Sequence, residues 1–191
     1  ALLFLQTWWR ATMGGVLTSV WSWWSGDQNL GPEADVPDPT TGLTPRENAS
    51  IVATWDLVRP NLKQHGINFF MKLFEEEPEL QNQFASFRDK ELSELRTNKK
   101  MAAHATTVMT AIQACVDNLD DVETLVELLK TTGVNHERRG VPKEDFELSG
   151  PVLIDFLGEN LGNAWTPQAK AAWTLAVKVV YDVITSQYKD V

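Results

Sequence analysis

The sequence predicts an all-helical fold, on three observations. Apolar residues recur at steps of three and four along several stretches, as on the buried face of an α-helix. Thr44-Pro45-Arg46-Glu47 and Thr166-Pro167 combine a capping hydroxyl with a proline at the first helical position, which is typical of a helix start. No stretch shows sustained period-two alternation between hairpin turns, so a β-sheet is disfavoured.

Composition divides the 191 residues into three zones. Residues 1–24 are apolar and hold five of the eight tryptophans, with Arg10 as the only charged residue. Residues 25–43 are rich in glycine and proline and carry acidic but no basic side chains, which predicts a linker that cannot bury enough apolar surface to fold. Residues 44–191 are long enough for one domain with its own core.

Within this domain, the first helix is expected to run from Thr44 toward Arg59 and to end at Pro60. The second carries an apolar stripe through Phe70 and ends before Pro78. A loop with two phenylalanines follows, and then a small charged helix over residues 89–95. Two longer apolar stripes come next, each predicting a helix and each including a histidine. The last two helices follow a turn at residues 140–142, and the Gly150-Pro151 pair predicts a kink in the first of them.

Charge and cysteine content exclude several classes of function. The 17 basic and 26 acidic residues give a formal net charge of -9 without a basic cluster, so nucleic acid is not an expected partner. The single cysteine, Cys115, excludes an internal disulfide and a multi-cysteine zinc site. It lies about three helical turns from His104, roughly 16 Å, so the two cannot form a nucleophilic pair. The sequence contains no glycine-rich phosphate loop, no nucleophile elbow and no membrane-spanning apolar run.

The histidines on the two apolar stripes, His104 and His136, are the candidate functional residues, whereas His65 is expected to be structural or exposed. Taken singly, each of the pair can be interpreted as a core histidine with a satisfied hydrogen bond. Because they stand 32 residues apart on helices joined by a turn, their imidazoles can face each other. Two neutral imidazoles across a gap suit a flat metal macrocycle, whereas two histidines without further ligands make a poor site for a bare metal ion.

Residues 44–188 resemble the globin family. The resemblance is carried, in order and at fitting separations, by Trp55, the run Phe69-Phe70-Met71-Lys72-Leu73-Phe74, Pro78, Phe84, Phe87, His104, Val108 and His136. The histidine spacing and the segment from Trp165 to Trp173 resemble neuroglobin-like and globin X-like chains, including N-myristoylated membrane-bound globins of invertebrates. Thr132 departs from the pattern, since many globins place leucine one turn before the second histidine.

The resemblance implies a three-over-three globin fold of about eight helices that binds haem b. It implies that His136 is the proximal iron ligand and that His104 is the distal residue, acting on the bound gas or as a sixth iron ligand. Other residues are implied to line the pocket: Phe70, Phe84, Phe87, Thr107, Val108, Thr132, Val141 and Phe146.

The implied function is reversible binding of oxygen and other diatomic gases. One alternative is a redox globin that acts on nitric oxide or peroxide, or protects membrane lipids, with an external reductant. Another is a bulk oxygen carrier. Formation of a homodimer is a further alternative.

The N-terminal zone contains Met13-Gly14-Gly15-Val16-Leu17-Thr18, which matches the N-myristoylation pattern. The match requires translation to start at Met13, so that Gly14 becomes the acceptor and residues 1–12 lie upstream. The tryptophans that follow could supply the second signal that stable membrane binding needs. We therefore expect membrane association at the cytoplasmic face; a soluble cytoplasmic protein, an extracellular globin with a secretory remnant and a self-association face are the alternatives.

Overall fold

The structure is a computed structural model that describes residues 30–189. The predictions for Met13, Gly14 and the tryptophan-rich zone lie outside these residues. Seven α-helices and no strand occur between residues 30 and 189. The helices are α1 (Pro45–Trp55), α2 (Leu62–Glu76), α3 (Leu92–Leu95), α4 (Lys99–Val116), α5 (Val122–Glu137), α6 (Glu144–Leu161) and α7 (Pro167–Thr185). Short 3₁₀ helices cover Pro32–Asp35, Arg59–Asn61, Pro78–Gln83 and Gly162–Ala164.

Both predicted helix starts are confirmed by their caps. The Thr44 hydroxyl accepts from the Glu47 backbone N–H at 3.2 Å, and the Glu47 carboxylate accepts from the Thr44 N–H at 2.8 Å. The Thr166 hydroxyl accepts from the Ala169 N–H at 3.1 Å. The structure adds a cap at Asn98, whose side-chain oxygen accepts from the first backbone N–H groups of α4.

Two helices are shorter than predicted. Helix α1 ends at Trp55 rather than near Arg59, because the chain passes through turns into a 3₁₀ helix that contains Pro60. Helix α3 covers Leu92–Leu95, about half of the predicted segment. At the Gly150-Pro151 pair, where the sequence predicts a kink, helix α6 continues as one helix from Glu144 to Leu161.

The segment from Leu30 to Leu43 differs from the predicted linker, because it packs against α1. Ala34 and Leu43 are buried, and the Arg46 side chain of α1 pairs with Asp35 at 2.7 Å. Asp38 closes a turn by accepting from the backbone N–H groups of Thr40 and Thr41. A few well-placed apolar side chains and local hydrogen bonds therefore order this part despite its polar composition.

The helices form two layers. Helices α1, α4 and α5 pack side by side, and so do α2, α6 and α7. Between the layers, α2 crosses α4 while α7 contacts both α1 and α5. This is the three-over-three arrangement implied by the sequence. None of the helices within residues 30–189 is long and apolar enough to cross a membrane.

The apolar core consists of a large and a small cluster. The large cluster includes Trp55, Phe70 and Phe74 and spans α1, α2, α4, α6 and the first half of α7. The small cluster is centred on Leu125 and Leu129 of α5 with Ile184 of α7. The division matters because His104 contacts rings of the large cluster, whereas His136 contacts Phe146, which packs on the small one.

Candidate functional site

The His136 imidazole is held by a hydrogen bond within α5. Its Nδ1 lies 2.8 Å from the Thr132 backbone carbonyl, one turn earlier. Because a carbonyl oxygen can only accept, Nδ1 must carry the proton, and Nε2 is left with a free lone pair. The Thr132 hydroxyl donates to the Leu128 carbonyl at 3.0 Å instead of to the ring. The arrangement is that of a metal-ligating histidine oriented by a backbone acceptor.

The His104 imidazole lies half-buried on α4 among phenylalanine rings. Its ring centroid is 5.1 Å from those of Phe70 and Phe84, both in edge-to-face geometry, and 6.4 Å from that of Phe87. Burial lowers the pKa of His104, and the charges of His136 and Arg139 lower it further. The ring is therefore neutral at neutral pH, with one N–H donor and one lone pair.

The phenylalanines beside His104 are fixed by the turn that follows the 3₁₀ helix Pro78–Gln83. Phe84 and Phe87 stack at 5.0 Å, and Phe84 also contacts Phe74 at 5.3 Å. Gln81 closes the turn, because its side-chain N–H groups donate to the carbonyls of Phe87 and Lys90, each at 2.8 Å. The sequence analysis missed Gln81; a polar side chain near the start of a proline-initiated turn is the signal that could have found it.

The His136 side of the site is built around Phe146. Its ring meets His136 edge-on at 5.1 Å and Tyr188 of the chain terminus at 6.5 Å. Tyr188 was not predicted, since it lies 52 residues from His136 in a stretch without a motif. Val141 is half-buried near this side, and its N–H donates to the His136 carbonyl at 3.2 Å.

The remaining predicted pocket residues lie on α4. Val108 is half-buried against the large core cluster. Thr107 is exposed, with its hydroxyl bonded to the Ala103 carbonyl at 3.0 Å.

The donor set fits a haem rather than a bare ion. No group of three or more histidine, cysteine, aspartate or glutamate side chains suited to a metal ion occurs in the described part of the chain. A porphyrin supplies four nitrogens of its own, so it needs one or two axial imidazoles from the protein. His104 and His136 are two imidazoles of the kind such a group requires, and each is flanked by aromatic rings.

Comparison with known proteins decides the family, because the sequence model of the globin domain matches residues 67–184. The chain belongs to the globin family. It therefore is a haem protein that binds a small gaseous ligand.

Curated relatives of this globin span most of its length. It is 32% identical to a neuroglobin of Danio rerio over 144 residues, which cover 75% of this chain and 91% of the relative. It is 31% identical over 151 residues to a Casuarina glauca protein named anaerobic nitrite reductase HBII, covering 78% of this chain and 91% of the relative.

A solved structure shares the fold at a TM-score of 0.74 and 26% identity, covering 80% of this globin and 99% of the other chain. That structure is described as a hexacoordinated haem protein from an anhydrobiotic tardigrade.

Cys115 and His65 are the two other residues of this globin that the sequence analysis considered. Burial raises the pKa of the Cys115 thiol to about 11, so the side chain is a protonated thiol at neutral pH. His65 lies on α2 with its ring edge-on to Phe156 at 6.2 Å, and its Nδ1 is buried without a partner. Burial lowers the pKa of His65.

Proposed function

We propose that this globin binds oxygen reversibly at a haem held by His136, with His104 controlling the opposite face. The observation that carries the proposal is the hydrogen bond from His136 Nδ1 to the Thr132 carbonyl, which leaves Nε2 as the free ring nitrogen.

A bound haem would supply an iron centre that can bind a diatomic gas. His136 offers Nε2 and is kept from rotating by Thr132. His104 is neutral and can donate an N–H to the end of the gas molecule that gains partial negative charge. Phe70 and Phe84 pack edge-to-face against the His104 ring and limit the access of water to it.

Substitution of the axial histidine tests this function. We expect wild-type protein supplemented with haemin to show a Soret band at one haem per chain, and His136→Ala to lose most of it. His65→Ala is the matched control, because His65 is a histidine of the same domain that packs on Phe156. A normal spectrum and haem content in His136→Ala would overturn the assignment of the ligand.

A redox function is the second candidate, and the crowded position of His104 favours it. A neutral imidazole held among three phenylalanine rings has a lone pair available, so His104 could itself bind the iron of a bound haem when no gas is present. The similarity to a hexacoordinated haem protein and to a chain named nitrite reductase supports this candidate. Turnover would then need an external reductant.

The visible spectrum of the reduced, gas-free protein separates the two candidates. Two sharp bands in the green indicate His104 on the iron and favour redox chemistry, whereas one broad band favours oxygen storage or transport. His104→Leu should convert the first spectrum into the second.

We also propose that the N-terminal zone tethers the globin to the cytoplasmic face of a membrane. The support is the sequence alone: the myristoylation pattern at Gly14 and the cluster Trp21, Trp23 and Trp24, because one acyl chain needs a second membrane signal.

A further inference from the structure

We propose that His65 makes this globin sensitive to acid, because a proton on its ring would loosen the contact between α2 and α6 and shift the His104 ring. The effect on stability follows from the fold alone. The effect on His104 rests on the proposed function, in which His104 faces a bound haem.

The His65 ring is half-buried on α2 and packs against α6. It meets the Phe156 ring edge-on with the centroids 6.2 Å apart, and its Nδ1 is buried without a hydrogen-bond partner among residues 30–189. A neutral imidazole leaves only an uncharged nitrogen unpaired there. A protonated imidazole carries an N–H on both nitrogens, so it would bury part of a cation and a donor that has no acceptor.

The surroundings of His65 offer no charge that would compensate the proton. The charged side chains of the neighbouring elements are exposed or already paired: Lys63 and Lys72 of α2, Asp155 and Glu159 of α6, and Arg59 of the preceding 3₁₀ helix. From α4, the side chain that lies against this part of α2 is that of Met109, which carries no charge. Burial accordingly lowers the pKa of His65 from its ordinary value of 6.5. The ring is therefore neutral at neutral pH and takes up a proton only in acid.

Ring contacts connect His65 to the His104 side of the site. The Phe156 ring, which meets His65, also meets Phe69 of α2 at 5.8 Å. Phe69 meets Phe70 at 5.3 Å, and Phe70 meets His104 at 5.1 Å. A displacement of His65 from Phe156 would therefore reach His104 through rings that are in contact at every step.

The backbone contact between α2 and α4 lies beside both histidines. Gly66 follows His65 in the sequence, Ala105 follows His104, and a Cβ at Gly66 would lie 2.7 Å from the Ala105 carbonyl oxygen. Because close-packed interiors transmit strain, a movement of α2 at this point would also move α4. Protonation of His65 is therefore expected to shift the His104 ring.

The pH dependence of unfolding tests the effect on stability. Haem-loaded wild type is compared with His65→Phe, which keeps an aromatic ring against Phe156, and with His65→Gln, which keeps a polar group; neither replacement titrates. The control is Gln64→His, which adds a histidine at the neighbouring, exposed position. Urea unfolding of each protein is measured from pH 7.5 to pH 5.

We expect wild type to lose more stability in acid than either His65 variant. The stability that the neutral ring contributes is complete above the pKa of the unfolded chain and is lost as the pH falls through the lowered pKa of the folded state. Between pH 7.5 and pH 5, the unfolding equilibrium constant of wild type should rise by up to about thirtyfold more than that of His65→Phe. This limit applies when only the unfolded chain binds the proton, at a pKa of about 6.5. Gln64→His should follow the wild-type profile.

Nuclear magnetic resonance of protein labelled with ¹⁵N-histidine tests the effect on His104. With carbon monoxide on the reduced haem, which keeps the iron diamagnetic, the ring signals of His65 and His104 are followed over the same pH range. In wild type, the His104 signals should shift together with the titration of His65, and in His65→Phe this shift should disappear. At pH 7.5 the His65 ring is neutral, so the His65 variants should take up haemin as wild type does.

Different results contradict different claims. The same pH profile of unfolding in wild type and both His65 variants, or an equally large effect of the exposed histidine in Gln64→His, would overturn the acid sensitivity of His65. His104 signals that ignore the titration of His65 would overturn the link between the two rings. Wild-type protein that takes up no haemin would overturn the proposed function, whereas its unfolding profile would still decide the role of His65.

Discussion

The backbone carbonyl of Thr132, and not its side chain, holds the His136 ring. This explains how threonine can stand where many globins have leucine, because the hydroxyl is bonded to Leu128 within the same helix. His104 is supported differently: within residues 30–189 its ring has no hydrogen-bond partner, and it packs edge-to-face against Phe70 and Phe84. A hydrogen bond therefore fixes the orientation of the His136 ring, whereas packing alone positions the His104 ring.

Replacement of His104 by leucine should speed the loss of oxygen by about tenfold or more. The substitution removes the N–H donor while keeping an apolar side chain of similar size, and a hydrogen bond to a charged group contributes about 1.5–3 kcal/mol. Oxygen dissociation measured by stopped flow tests this, with His65→Leu as the control. Equal dissociation rates for wild type and His104→Leu would remove His104 from the distal role.

The paired histidines could be predicted from the sequence because each lies on an apolar stripe of its own helix. Phe70, Phe84 and Phe87 were expected to line the haem pocket, and their contacts with the His104 ring itself were not predicted. The sequence could not show which ring nitrogen of His136 is free, since that depends on the distance to a backbone carbonyl. Nor could it show the roles of Gln81 and Tyr188, which depend on how loops and the chain terminus return to the site.

The crossing of α2 and α4 sets the geometry on the His104 side. A Cβ at Gly66 of α2 would lie 2.7 Å from the Ala105 carbonyl oxygen of α4, so the two backbones are in close contact there. Phe70 stands one turn beyond Gly66, and His104 directly precedes Ala105. The close approach therefore brings the Phe70 and His104 rings to 5.1 Å.

Gly66→Ala should lower the free energy of unfolding by about 1–2 kcal/mol. Overpacking of a tight contact costs about 1–3 kcal/mol, and the helix preference of alanine over glycine recovers up to about 1 kcal/mol. Gly150→Ala is the matched comparison, because its added Cβ would meet only the Val177 side chain, which can rotate. Urea unfolding of the holoproteins measures both; equal stability of Gly66→Ala and Gly150→Ala would contradict the close backbone crossing.

Helix starts were more predictable than helix ends. The caps at Thr44 and Thr166 are local hydrogen bonds within four residues, so a short motif is sufficient to find them. The end of α1 at Trp55 depends on tertiary packing, since Trp55 is fully buried and its indole donates to Gln113 of α4 at 3.0 Å. Pro60, at which the sequence analysis placed the end of this helix, was therefore a poor predictor of where α1 ends.

Contacts between distant parts of the chain hold the two layers together. The Trp173 indole N–H donates to the Thr54 hydroxyl at 2.9 Å across 119 residues, and the Trp55 and Trp173 rings lie 5.8 Å apart. No periodic pattern indicates such a pair, although the globin resemblance predicted the layers that contain it. The fold of residues 44–188 was thus foreseeable as a whole, while its specific polar contacts were not.

The proposed tether is a property of the whole chain, and substitution of Gly14 tests it. With translation starting at Met13, Gly14→Ala should move most of the protein from the membrane fraction to the soluble fraction of cells, because the acyl acceptor is lost. Gly15→Ala is the control, since the pattern accepts any residue there. Unchanged membrane binding of Gly14→Ala would show that the acyl chain is not needed.

The packing of residues 30–43 against α1 limits how far such a tethered domain could stand from its bilayer. Leu30, where the described chain begins, lies 16 positions after Gly14, so 15 residues stand between them. Fully extended, this stretch spans at most about 58 Å. If residues 30–43 were extended as well, the maximal distance between Gly14 and the start of α1 would nearly double. If the proposed tether forms, the packing of this segment against α1, including the ion pair between Arg46 and Asp35, would keep the globin close to the lipid surface, where gas dissolved in the hydrocarbon would be near at hand.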